Sequence, residues 1–141
     1  MPSETQAAPV SKKGLWTGRI ITALVIVFLA LDAAFKFVKP APPPVVEAFT
    51  HVGWSISLAP VLGITLLVAT ALYAIPLTSV LGAILLTGYL GGAIATHSRV
   101  GDPLFSHVLF PMYVGVLLWG GLYLREPRLR ALIPLRTPKA S

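Results

Sequence analysis

Residues Leu15–Phe37 read LWTGRIITALVIVFLALDAAFKF. Ile20–Leu31 within them carries no charged side chain; Arg19 precedes it, and Asp32 and Lys36 follow. The hydrocarbon core of a bilayer is about 30 Å thick, so a spanning helix needs roughly 20 apolar residues. The run meets that length and is read as a transmembrane helix. A cleaved signal peptide fits less well, because Asp32 interrupts the small-residue cleavage pattern and the apolar character continues to Phe37.

Three further runs have the same character: 54–74, 77–96 and 104–124. The links between them are turn-like. Lys39–Pro44 reads KPAPPP, and proline lacks the backbone donor that a continuing helix needs. Val45–His51 is expected to form a short helix leading into the second span. Tyr73–Pro76 is a tight uncharged turn, and Ser98–Pro103 a polar one. The fold class is therefore all-α, a four-transmembrane-helix bundle. Residues 1–14 are read as a disordered cytoplasmic N-terminus, 15–124 as the bundle and 125–141 as a basic cytoplasmic tail.

Composition supports this. Hydrophobic residues make up 55% of the chain and charged residues 11%, against about 25% charged in a typical soluble domain. So few charges cannot cover a water-facing surface. With no cysteine, disulfide frameworks, thiolate metal sites and cysteine-pair electron transfer are excluded. The net charge of +6 lies at the ends of apolar runs, which argues for membrane topology over nucleic-acid binding.

Cytoplasmic loops are enriched in Lys and Arg. Four spans put both termini and the second turn on one side. That side holds Lys12, Lys13, Arg19, Arg125, Arg128, Arg130, Arg136 and Lys139; the other holds Lys36, Lys39 and Arg99. Both termini are therefore expected in the cytoplasm. Trp16, Trp54 and Trp119 are read as interfacial anchors, with an aromatic pocket wall as the alternative.

Small residues let membrane helices approach closely. Gly88 and Gly92 form a G-x-x-x-G pair on the third span, and Gly115 and Gly120 lie on the fourth. These four are the expected helix-packing positions, with homodimerisation as the alternative use of the motif. Pro111 is expected to kink the fourth span and free the carbonyl of His107.

The chemistry-bearing residues gather on the outer side: Asp32, Lys36, Glu47, His51, His97, Arg99, Asp102 and His107. Asp32 and Lys36 are four apart on one helix, so their side chains can meet. Ionisable groups within a membrane span are functional candidates by default. Asp32 is read either as half of an ion pair anchoring the helix end or as a proton or ligand partner facing a cavity. Three histidines on one side suggest a metal site or a proton relay, but no metal-ligand spacing occurs on one helix. No metal is expected. The fork of Arg99 suits an anionic or carbonyl acceptor.

The stretch TGYLGGAIATHSRVG at 87–101 and the closing WGGLYLREPRLRALIPLR at 119–136 resemble bacterial DoxX-like membrane proteins. Asp32 with Lys36, and Glu47 leading to Gly53, fit the same likeness, which extends over residues 15–136. The resemblance implies a multi-pass four-helix bundle of the inner membrane. It also implies, by analogy with small subunits of a thiosulfate:quinone oxidoreductase, a quinone-linked role.

The leading expectation is a protein that is not an enzyme by itself and needs no cofactor. It binds a lipid-like ligand or a partner protein through its outer face. The first alternative is a membrane subunit of a quinone-linked oxidoreductase, with Asp32, His97 and Arg99 lining a quinone pocket beside a redox partner. The second is a small proton-coupled carrier.

Overall fold

The computed structural model describes residues 9–133. Helix α1 spans Lys12–Phe35, α2 Pro43–His51, α3 Ala59–Ala74, α4 Ser79–Arg99, α5 Phe110–Arg125 and α6 Pro127–Arg130. There is no strand among the described residues. Among the described residues, four helical segments are long and apolar enough to cross a membrane: Lys12–Phe35, Ile56–Ala74, Pro76–Arg99 and Leu104–Arg125.

Several boundaries differ from the sequence reading. Ser11 caps α1 by accepting from the Gly14 N–H at 3.1 Å, so Lys12–Gly14 are helical instead of disordered. Residues 1–8 and 134–141 lie outside the described residues. A 3-10 turn, Ile56–Leu58, leads into α3, and another, Pro76–Thr78, leads into α4. Within the expected basic tail, α6 turns back so that Arg130 donates to the carbonyls of Tyr123 and Leu124 at 2.8 and 2.9 Å. Those are carbonyls of the last turn of α5, which lack helical partners.

The four long helices form a ring in which α1 touches α3 and α5, and α4 touches the same two. Leu29, Ala33, Leu66, Leu86, Leu118 and Leu122 fill the centre. Tyr73 is completely buried, and its hydroxyl donates to the Leu118 carbonyl at 2.7 Å. A hydroxyl buried without a partner is costly; this bond satisfies it and ties α3 to α5. The outward faces carry large apolar side chains such as Leu24, Val27, Ile64, Ile84 and Val116, as a lipid-facing surface requires.

Small residues do bring the helices together, chiefly at positions other than Gly88, Gly92, Gly115 and Gly120. A Cβ on Gly82 would lie 2.1 Å from the backbone nitrogen of Tyr73, and one on Gly18 would lie 2.9 Å from the Gly121 carbonyl oxygen. One on Gly121 would meet Thr22 Oγ1 at 2.8 Å. These positions seat α4 on α3 and α5 on α1. By contrast, among the described residues a Cβ on Gly88, Gly92 or Gly120 would meet nothing within 4 Å, and one on Gly115 only Leu90 at an ordinary 3.7 Å. The reading of those four as packing positions is corrected: the first two border a cavity instead.

Pro111 is also corrected. It stands in the first turn of α5, where its missing N–H is one that no helix uses. The chain before it winds as a short π-helix, Leu104–Val108, so the fourth span is broken at Leu109 and not kinked at Pro111.

Candidate functional site

The termini of the bundle share one face, and α2 lies at the other. Beneath α2 is a cavity of about 460 Å³. Its walls come from all four long helices, from α2 and from the turn after it, and they are mostly apolar or aromatic, with Phe28, Phe49, Trp54, Tyr89 and Phe110 among them. Gly88 and Gly92 border it on α4. The absence of side chains there leaves the space open. Gly88 precedes Arg99, the end of α4, by about 16 Å at 1.5 Å per residue. The cavity therefore reaches from the α2 face roughly to the middle of the bundle.

Asp32 and Lys36 stand on its α1 wall. Lys36 Nζ donates to Asp32 Oδ2 at 2.6 Å and to the Asp32 carbonyl at 3.2 Å. The lysine is 11% exposed and the aspartate 46%. Asp32 thus presents surface to the space while Lys36 is tucked behind it. The ion pair is formed on a wall of the cavity. Oδ1 of Asp32 and the hydroxyl of Tyr89 have no hydrogen-bond partner among the described residues.

A second group of polar residues holds α2 in place. His51, at the end of α2, brings Nε2 to 2.5 Å from Asp102 Oδ1, and His97, near the end of α4, brings Nδ1 to 2.6 Å from Asp102 Oδ2. These bonds, His97 first and His51 second, keep the Asp102 carboxyl below its usual range. It is therefore ionised at neutral pH and accepts from both rings. Arg99 donates to the carbonyl of Val52, the residue that follows α2. Its expected carbonyl partner is thus the protein's own backbone.

Local backbone makes this convergence available. Gly53 and Gly101 both have positive φ, 74° and 72°, a region glycine enters without a Cβ penalty. Gly53 ends α2 and turns the chain down toward α3. Gly101 turns the chain after α4 so that Asp102 folds back, its N–H donating to the His97 carbonyl at 3.1 Å. Phe49, 8% exposed, points from α2 into the cavity roof.

The expected site residues therefore separate. Asp32 and Lys36 border the cavity. His51, His97, Arg99 and Asp102 clasp α2 above it, with His97 also contributing to the wall. His107 lies against His97 edge-to-face, ring centres 6.0 Å apart, and its Nδ1 pairs with Ser106 Oγ at 2.8 Å. Glu47 is exposed on α2 and makes no side-chain contact of this kind among the described residues. No group of three His, Asp or Glu side chains disposed to hold a metal ion occurs among the described residues.

Two tryptophans make contacts within the bundle. Trp54 borders the cavity, and Trp119 Nε1 donates to Thr87 Oγ1 at 2.9 Å, joining α5 to α4. Trp16 remains 61% exposed with the Arg19 guanidinium 5.5 Å above its ring, as an interfacial anchor would be. Tyr89 was not singled out from the sequence; its place four residues before Ala93 on the glycine-bearing stretch of α4 was the available signal.

The sequence profile of the DoxX-like family matches residues 20–121. Nothing among curated proteins or solved structures matches the chain. The matched segment contains Asp32, Lys36, the whole of α2 and the Asp102 clasp.

Proposed function

The chain belongs to the DoxX-like family, and from that premise and the cavity we propose that this multi-pass membrane protein binds a lipid-like, amphipathic molecule beneath α2. The observation that carries the reading is the aromatic-walled cavity of about 460 Å³ with an ion pair set into one wall. Ligand sites are commonly concave, mostly apolar and furnished with a few convergent polar groups, at volumes of about 300–1,000 Å³. An apolar chain fits the wall of Phe28, Phe110 and Val114, and a polar head fits beside Asp32 and Tyr89.

The bias of Lys and Arg toward the terminal face supports an orientation with both termini in the cytoplasm and α2 outside. In that orientation the cavity lies in the outer half of the membrane. The clasp of His51, Asp102 and His97 then holds α2 as its roof, between the cavity and outer water.

A quinone-linked role is the second reading, favoured by the Tyr89 hydroxyl, a donor on the cavity wall with no partner among the described residues. Both readings are tested on protein purified in mild detergent, by solvent extraction and mass spectrometry of what remains bound. The proposal expects one amphiphile at close to one per chain in the wild type and its loss in Gly88→Leu, which fills open space. Quinone as the bound species promotes the second reading. Only bulk phospholipid, unchanged in Gly88→Leu, overturns both.

A further inference from the structure

Resting on the cavity as a ligand site, we infer that its ligand carries an uncharged, hydroxyl-bearing head group, donated to Oδ1 of Asp32. Charge on the cavity wall selects the head group. Among the described residues, the ionisable groups that border the cavity are Asp32, Lys36, Tyr89 and His97. Asp32 and Lys36 neutralise each other at 2.6 Å, and His97 is bound to the carboxylate of Asp102 at 2.6 Å. Each charge on this wall already has its counter-charge.

A charged head entering here finds no free partner. An anion near Lys36 also lies near the Asp32 carboxylate, and two Lys36 contacts are already spent on the carboxylate and carbonyl of Asp32. A cation near Asp32 must compete with Lys36 at contact distance. Neither charge is compensated, and an uncompensated charge in low-dielectric surroundings is strongly disfavoured.

A hydroxyl meets the opposite situation. It needs one acceptor and offers one. Asp32 Oδ1 is an acceptor without a partner among the described residues, on a side chain 46% exposed. Tyr89 supplies a hydroxyl donor in the same cavity. Hydrogen bonds to an ionised acceptor are about twice as strong as neutral ones, so Asp32 becomes the discriminating group. A long-chain alcohol is the simplest molecule of the class.

The test is displacement of a radiolabelled long-chain alcohol from the purified protein in an uncharged detergent. The competitors are the unlabelled alcohol and the alkyl phosphate and alkyl amine of the same chain length. The wild type is expected to favour the alcohol over both charged competitors by about tenfold or more. In Asp32→Asn, Lys36 loses its counter-charge, and the phosphate is expected to become the best competitor. In Lys36→Met the amine is expected to take that place. Either variant alone reads the inversion, and the wild-type ranking stands without them. A phosphate or amine that matches the alcohol on the wild type, or a ranking unmoved in a folded variant, overturns the head-group assignment and leaves the ligand site intact. No binding of any competitor overturns the ligand site as well.

Discussion

Asp102 Oδ2 lies 2.6 Å from Nδ1 of His97, while its other oxygen lies 2.5 Å from Nε2 of His51 on α2. One carboxylate thus joins the end of the third span to a helix that is otherwise attached mainly through its flanking turns. With Arg99 on the Val52 carbonyl, this makes the α2 roof a fastened element above the cavity.

Removing the shared carboxylate should free the roof. The chain has no cysteine, so Ala93→Cys places a single thiol in the cavity wall. Its rate of modification by a water-soluble maleimide is expected to rise several-fold when Asp102→Ala is added. An unchanged rate would mean that α2 is held by something else.

Acid should act on the same carboxylate. Because hydrogen bonds lower its pKa in the folded state, the clasp's contribution is full above the ordinary aspartate value of about 3.9 and disappears as pH falls through the lower folded value. A spin label at Glu47→Cys, an exposed site on α2, is expected to keep its mobility from neutral pH to about pH 4 and to gain mobility only below that. Release of the label well above that range would assign the restraint to other groups.

The two classes of glycine should respond oppositely. Gly82→Ala drives a methyl into the Tyr73 backbone and is expected to cost about 1–3 kcal/mol, the usual range for overpacking. Gly88→Ala meets open space and should fall within about 1 kcal/mol of wild type, since alanine is the better helix former. Thermal denaturation in detergent decides it. Equal losses for the two would restore Gly88 to the packing interface.

Tyr73→Phe removes the hydroxyl that crosses from α3 to the Leu118 carbonyl. A loss of about 1 kcal/mol is expected, the typical net worth of one hydrogen bond. Stability equal to wild type in the same denaturation assay would show that this link contributes nothing to the bundle.

The sequence made the spans legible because their signal is local: length and apolar content along one segment. It made the Asp32–Lys36 pair legible for the same reason, since four residues is one helical step. The clasp was not legible. His51 and Asp102 are separated by 51 positions and meet only because Gly53 and Gly101 turn their chains back toward each other. The G-x-x-x-G pair misled because small residues look the same whether a helix or a cavity faces them. Gly82 and Gly121, which do pack, have no such pairing to mark them, and Gly18 shares one with Gly14 at the very start of the first span. Pro111 was misplaced because the π-helical Leu104–Val108 keeps an apolar pattern continuous with α5 and hides the break at Leu109.

The central claim, an amphiphile held beneath α2, is tested most directly by photo-crosslinking. A long-chain alcohol with a photoreactive group near its head is added to the purified protein, and labelled peptides are sequenced. Labelling is expected in the segments around Asp32–Lys36 and Gly88–His97, displaced by excess unlabelled alcohol and lost in Gly88→Leu. Labelling spread along the outward apolar residues such as Leu24, Val27 and Val116, undiminished by competitor, would contradict the account.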